Sequence, residues 1–262
     1  MKKLLKFLLL ASGGAAPVVP DLVMPTTDRL YHFYGGNGVA QPSGITAAGD
    51  GTTISAWQDV DLAVNTAQGT GAAQPTYRLS VAGLNNRGAV EFDGGDSLTA
   101  SATPITFLSD WTIGWVLLSG MTSNGTVWSL RRSSDTNPFL RLRGGSTTKV
   151  SMGMRSNTGT SIASPSSTAT VFNTVKHIVV ARHDNTAKLL YIYIDNLVTP
   201  DNGAGFDTST IAAMTVDRFS LGAMAGSGAA AEHFNGHIAM CTGYSGNHVS
   251  DFADAKTHYA IS

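Results

Sequence analysis

Glutamate and cysteine are both scarce in this chain. Of 262 residues only two are glutamates, Glu91 and Glu232, and one is cysteine, Cys241. A single cysteine excludes an intrachain disulfide, so the fold must be held by its core. Charged residues make up 13% and the net charge is -1, which gives no general attraction for nucleic acid or an anionic membrane. No apolar run approaches the roughly 20 residues that a bilayer span requires. A G-x-S-x-G elbow, a phosphate-cradling glycine loop and H-E-x-x-H are also missing. So is any internal repeat of about 20–50 residues, which argues against a solenoid or propeller.

What remains is rich in Gly, Ser, Thr, Ala and Asn and carries short β-branched and aromatic runs. Val175-Lys-His-Ile-Val-Val-Ala-Arg182, a polar turn at His183–Thr186, and Lys188-Leu-Leu-Tyr-Ile-Tyr-Ile194 read as consecutive antiparallel strands. Further strands are predicted at Leu30–Tyr34, Thr53–Trp57, Ala89–Phe92, Trp111–Leu118, Thr126–Leu130, Phe139–Arg143, Lys149–Met154, Asp217–Gly222 and Phe234–Met240. Ser250 is placed to cap a short helix running to His258. The length suits one all-β sandwich, with residues 1–27 as an arm and linker and 28–262 as the folded domain.

The order of these segments resembles the concanavalin A-like lectin/glucanase superfamily, in particular its laminin G-like jelly rolls. Gly88-Ala-Val-Glu-Phe-Asp-Gly-Gly-Asp-Ser-Leu98 looks like the opening turn of such modules. Leu190-Tyr-Ile-Tyr-Ile-Asp195, Phe219-Ser-Leu-Gly222 and Phe234-Asn-Gly-His-Ile238 follow in the family's order. Asn196 stands where the family usually has Gly, a place that Asn tolerates because it enters the left-handed region readily. The resemblance implies a jelly-roll sandwich of two antiparallel sheets and makes carbohydrate or surface recognition the first functional question.

The N-terminus reads in two ways. Met1–Ala11 has the charged start and apolar run of a secretory signal, but Lys6 interrupts the run. On a helical wheel Leu4, Leu5, Phe7 and Leu8 share one side and Lys2, Lys3 and Lys6 the other. The expectation is a retained arm that docks on a partner within an oligomeric assembly, followed by a Gly/Pro linker.

The glucanase branch implied by the resemblance uses paired carboxylates, and here neither glutamate has a partner at the expected spacing. Glu91 and Asp93 would share a strand face, but they fall in the turn region that laminin G-like modules use structurally. His233, His237, Cys241 and His248 lack a standard zinc spacing, and Asn235-Gly236 reads as a turn dividing the first two. Calcium is a candidate cofactor at Asp93, Asp96, Asp184 and Asp195, although Asp at turns ordinarily bonds the local backbone.

The distinctive surface feature is arginine. Alternation along Phe139-Leu-Arg-Leu-Arg143 turns Leu140 and Leu142 inward and Arg141 and Arg143 outward. Arg131, Arg132 and Arg155 lie in neighbouring segments, so a basic stripe suited to an acidic glycan is expected. Trp57, beside Gln58 and Asp59, is the candidate for stacking on a sugar, while Trp111, Trp115 and Trp128 read as core. The function expected is a non-enzymatic virion structural protein, a phage head decoration or tail appendage whose jelly roll binds surface glycans. A secreted bacterial lectin-like protein with a cleaved signal is the alternative.

Overall fold

The computed structural model describes residues 22–35, 49–60, 65–101, 108–122, 124–134, 138–144, 148–161, 166–211, 213–224 and 231–262. The docking arm Met1–Leu10, with Leu4, Leu5, Phe7 and Leu8, lies outside the described residues. In chain order the strands are β1 (Arg29–Tyr34), β2 (Ala56–Gln58), β3 (Asn65–Ala67), β4 (Thr76–Val81), β5 (Arg87–Asp93), β6 (Leu98–Ala100), β7 (Trp111–Leu118) and β8 (Gly125–Arg131). They continue with β9 (Phe139–Gly144), β10 (Val150–Arg155), β11 (Lys176–Asp184), β12 (Leu189–Ile194), β13 (Phe206–Asp207), β14 (Arg218–Leu221) and β15 (Asn235–Ser245). One short helix, α1 (Ala253–His258), follows.

Among the described residues the strands form two antiparallel sheets. The larger runs β13-β12-β11-β7-β15-β5-β4, with β1 also on β15, and the smaller runs β10-β9-β8-β14-β6-β3-β2. The chain passes repeatedly from one sheet to the other, giving the jelly-roll sandwich that the sequence implies. Two strands share one edge of β15, with β5 pairing along Asn235–Ile238 and β1 along Met240–Tyr244. At their junction Gly35 and Gly88 touch through the backbone, and a Cβ on Gly88 would lie 2.0 Å from the Gly35 oxygen. Only glycine allows that approach.

Alternation decides which side chains fill the space between the sheets. Trp115, Val179, Ile192 and Cys241 come from the larger sheet, and Trp128, Leu140, Leu142 and Phe219 from the smaller. Trp115 meets Trp128 edge-on across the interface, with centroids 5.5 Å apart. The other face of the larger sheet is covered as well, because Phe252, Ala255 and Tyr259 from the C-terminal segment pack with Val116, Ile178 and Val180. This double burial explains why β7, β12 and the Ile178–Ala181 centre of β11 are almost continuously apolar instead of alternating. No helix among the described residues is long and apolar enough to cross a membrane.

Several details depart from expectation. Leu22 and Met24 are buried in this outer cluster, and Tyr244 Oη donates to the Pro25 carbonyl (3.1 Å), so residues 22–27 belong to the folded unit instead of a free linker. Ser250 lies inside a 3-10 turn, Val249–Phe252, and Phe252 takes the N-cap position of α1 without a side-chain cap. The left-handed residue after β12 is Asp195 (φ 58) and not Asn196. Asn235 and Gly236 open β15 and form no turn. The short strands β3, β4, β6 and β13 had no clear sequence signal because they are polar or brief, and their pairing comes from the sheets they join.

Candidate functional site

The outward face of the smaller sheet gathers the arginines. Leu140 and Leu142 enter the core, so Phe139, Arg141 and Arg143 of β9 face out. Register then aligns their neighbours. Arg155, Phe139, Arg131 and Arg218 form one row across β10, β9, β8 and β14. Gly153, Arg141, Ser129 and Ser220 form the next row, and Ser151 lies opposite Arg143. Three strand steps separate the ends of the first row, about 14 Å at the usual interstrand spacing.

Arg141 is the buried member, 8% exposed. Its guanidinium lies 4.8 Å from the Phe139 ring centroid, and its Nη1 donates to Glu232 Oε2 in a short ion pair and contacts Met224 Sδ at 3.1 Å. Thr126 Oγ1 donates to the same Glu232 oxygen at 3.2 Å. Burial lowers the Arg141 pKa; Glu232 opposes that shift, and the charges of Arg143 and Arg131 add to it. Among the described residues, the Nε atoms of Arg141 and Arg143 and the Ser220 hydroxyl are enclosed with no hydrogen-bond partner. Buried donors left unmade are costly, and a ligand oxygen is one way to satisfy them. Guanidinium groups arranged this way have the chemistry to take anionic oxygen, from a carboxylate, sulfate or phosphate.

Arg131, Arg141, Arg143 and Arg155 therefore come together as the sequence implies, and Arg132 does not. It sits past the end of β8, where its side chain donates to the Thr215 carbonyl and to Asn157 Oδ1, both at 3.2 Å. Arg218 completes the row and was missed, because its alignment with Arg131 depends on pairing between strands distant in sequence. Trp57 is corrected outright: it is 0% exposed and packs edge-on to Phe33 with centroids 5.7 Å apart, so it offers no platform to a sugar. Its place on β2 turns the ring inward, while the polar neighbours Gln58 and Asp59 gave the appearance of a loop.

The two glutamates lie on opposite outer faces of the sandwich. Glu91, on the larger sheet, accepts from Arg78 Nε at 2.5 Å and lies 3.9 Å from His237 Nε2, whose pKa burial lowers. They cannot form the paired carboxylates that glycoside hydrolysis uses. A cavity of about 270 Å³ opens beside His237, lined also by Leu118, Ser119, Thr174 and Asn235. The Ser119 hydroxyl is already committed to the Asn235 carbonyl. Among the described residues no group of three metal-ligating side chains comes together. The calcium candidates bond backbone amides: Asp93 to Gly95 (2.7 Å), Asp96 to Asp93 (2.9 Å), Asp184 to Ala187 (2.9 Å) and Asp195 to Ile178 (2.9 Å).

No protein-family model matches the chain, and no curated protein sequence matches it. Solved structures do share its fold. The CBM40 of Ruminococcus gnavus IT-sialidase bound to alpha2,3 sialyllactose is similar at 21% identity and a TM-score of 0.51, over 64% of this chain and 95% of that one. The same module bound to alpha2,6 sialyllactose is similar at 20% identity and a TM-score of 0.50, over 63% and 95%. Trypanosoma rangeli sialidase in complex with sialic acid is similar at 14% identity and a TM-score of 0.62, over 95% of this chain but only 36% of that chain. These similarities show a shared β-sandwich fold, at identities too low to carry a ligand across.

Proposed function

We propose that this protein is a non-enzymatic, lectin-like module that binds acidic glycans on the arginine face of its smaller sheet. The observation that carries the reading is the register itself, which brings Arg155, Arg131 and Arg218 into one row beside Arg141 and Arg143. One similar module was solved with two forms of sialyllactose, a sugar bearing one carboxylate, and a carboxylate is what a planar guanidinium fork fits. Glu91 and Glu232 belong to different sheets and do not supply the carboxylate pair of a glucanase, which leaves this reading as one of binding.

The test is a titration of alpha2,3 sialyllactose and a panel of sulfated and carboxylated glycans, with neutral lactose as control. Binding should weaken as salt rises and fall at least tenfold in an Arg143→Ala/Arg155→Ala double variant. Equal binding by the variant, or no binding of any acidic glycan, removes this reading.

For the setting we propose a virion, with the module held to a head or tail by residues 1–10. The support is the amphipathic division of Leu4, Leu5, Phe7 and Leu8 from three lysines. Secretion is the second reading, favoured by the charged start and by Ala11-Ser-Gly13 as a cleavage site. The intact mass of the native protein separates them, because loss of about the first 13–16 residues means a removed signal.

A further inference from the structure

We propose that Glu232 is the specificity-determining residue of the arginine face, an internal carboxylate that occupies the Arg141 position and must be displaced by an acidic ligand. The inference rests on the glycan-binding reading given above. It starts from the only described carboxylate contact on Arg141, made by Glu232 Oε2 to Nη1, and from the second hold on that oxygen, Thr126 Oγ1 at 3.2 Å. Arg141 itself is nearly enclosed, whereas the Glu232 side chain is 29% exposed. The anion is thus the solvent-facing half of the pair, and the half that can leave.

The backbone supports the same view. Glu232 has φ 52, a left-handed conformation that a glutamate adopts only when its surroundings enforce it. Its neighbours do so. Ala231 pairs with Met224, His233 bridges to Thr126, and the Glu232 carbonyl accepts from Thr126 N at 2.6 Å. The segment that presents the carboxylate is therefore pinned on both sides, and the carboxylate is aimed at a guanidinium whose Nε has no partner among the described residues. Position 232 sets a carboxylate on Arg141, within the face that also carries Arg131, Arg143, Arg155 and Arg218.

The consequence is discrimination. A ligand with a single carboxylate has to outcompete a tethered one whose effective concentration is high, and succeeds only if the rest of the ligand adds contacts. A free carboxylate brought near an undisplaced Glu232 also meets like charge. Monoanionic monosaccharides should therefore bind weakly, and larger acidic glycans that reach the outer row of arginines should bind better.

The experiment compares wild type, Glu232→Gln and Thr126→Val for binding of N-acetylneuraminic acid and alpha2,3 sialyllactose by calorimetry, with unliganded melting curves recorded in parallel. Glutamine keeps an oxygen for Arg141 and Thr126 but removes the charge, and valine removes one of the two holds on the carboxylate. We expect Glu232→Gln to tighten binding about tenfold, the order expected for removing a partly screened like charge, and Thr126→Val to give a smaller gain. Equal or weaker binding by Glu232→Gln overturns the inference while leaving the glycan-binding reading intact if wild type binds. If only Glu232→Gln binds, the masking stands and the native chain's glycan binding falls. If no protein binds either sugar, both fall. Should Glu232→Gln fail to melt cooperatively, Thr126→Val decides alone, and binding no tighter than wild type overturns the inference.

Discussion

Phe252 occupies the space that Gly114 leaves empty. A Cβ at Gly114 would fall 2.1 Å from Cε1 of the Phe252 ring, and both residues are closed off from solvent. Gly114 lies mid-way along β7, between β11 and β15, so the C-terminal segment is keyed into the centre of the larger sheet. Gly114→Ala should cost about 1–3 kcal/mol through overpacking. Phe252→Ala should cost about 3–5 kcal/mol through the cavity it leaves. Because the residues touch, the double variant should be less destabilised than the sum of the two. Urea denaturation of the three variants checks this, and strict additivity would show that the ring does not rest on Gly114.

Trp57 tests the correction made above. With its ring enclosed against Phe33, Trp57→Ala should lower stability by about 3–5 kcal/mol. Trp57→Phe should leave glycan affinity within twofold of wild type. A loss of affinity in Trp57→Phe at unchanged melting temperature would return the residue to a binding role.

Acid stability should depend on His258. Tyr34 Oη accepts from Leu22 N (3.3 Å) and lies 3.1 Å from His258 Nε2. Burial, and then the charge of Arg87, push His258 down to about 4. The unfolded chain gains its proton near pH 6.5 and the folded protein does not until about 4. Unfolding therefore takes up a proton across that window, and stability falls as pH falls from 6.5 to 4. His183 acts in the same direction, since burial lowers it while Nδ1 faces the Ser109 carbonyl (2.9 Å) and Nε2 the Thr208 hydroxyl (3.1 Å). His258→Gln should flatten the decline by roughly 1–2 kcal/mol, a figure reduced for the partial exposure of the ring. Melting curves from pH 7.5 to 4 measure it, and an unchanged slope would contradict it.

Cys241 gives a simple probe of the core. It is fully buried on β15, and burial raises its thiol well above the usual range. An aromatic disulfide reagent should leave it untouched in the native protein and label it at the rate of unfolding in denaturant. Fast labelling under native conditions would mean that the inter-sheet space opens locally.

How much of this was legible depends on which forces write themselves into local sequence. β7, β12 and the Ile178–Ala181 centre of β11 are nearly continuous apolar runs because both of their faces are covered, and such runs can be read without knowing what covers them. The outward turn of Arg141 and Arg143 follows from alternation in five residues. The membership of Arg218 does not, since it requires that β14 pair with β8, more than eighty positions earlier. Nor does the pairing of Arg141 with Glu232, which a two-glutamate sequence presents only as a lone acid beside histidine. Trp57 failed for a related reason: its polar flanks are local, while the Phe33 that buries it comes from another strand.

The arm bears most directly on where the protein acts. If Leu4, Leu5, Phe7 and Leu8 dock on a partner, each contributes on the order of 1.5–3 kcal/mol before ordering costs. Those costs are heavy, because a free ten-residue helix is marginal in water. The cut must be placed with care. Deleting residues 1–21 spares Leu22 and Met24, and should leave a sandwich that melts with the full chain. Deleting residues 1–25 strips both side chains from the outer cluster, along with the Pro25 carbonyl that Tyr244 bonds, and should lower the melting temperature. Light scattering should show the full chain in a larger assembly than the 1–21 deletion, and Leu5→Asp/Leu8→Asp should reproduce the deletion without shortening the chain. If all of these proteins assemble alike, attachment runs through the sandwich itself. The first residues are then better read as a signal sequence, which the mass of the native protein would confirm.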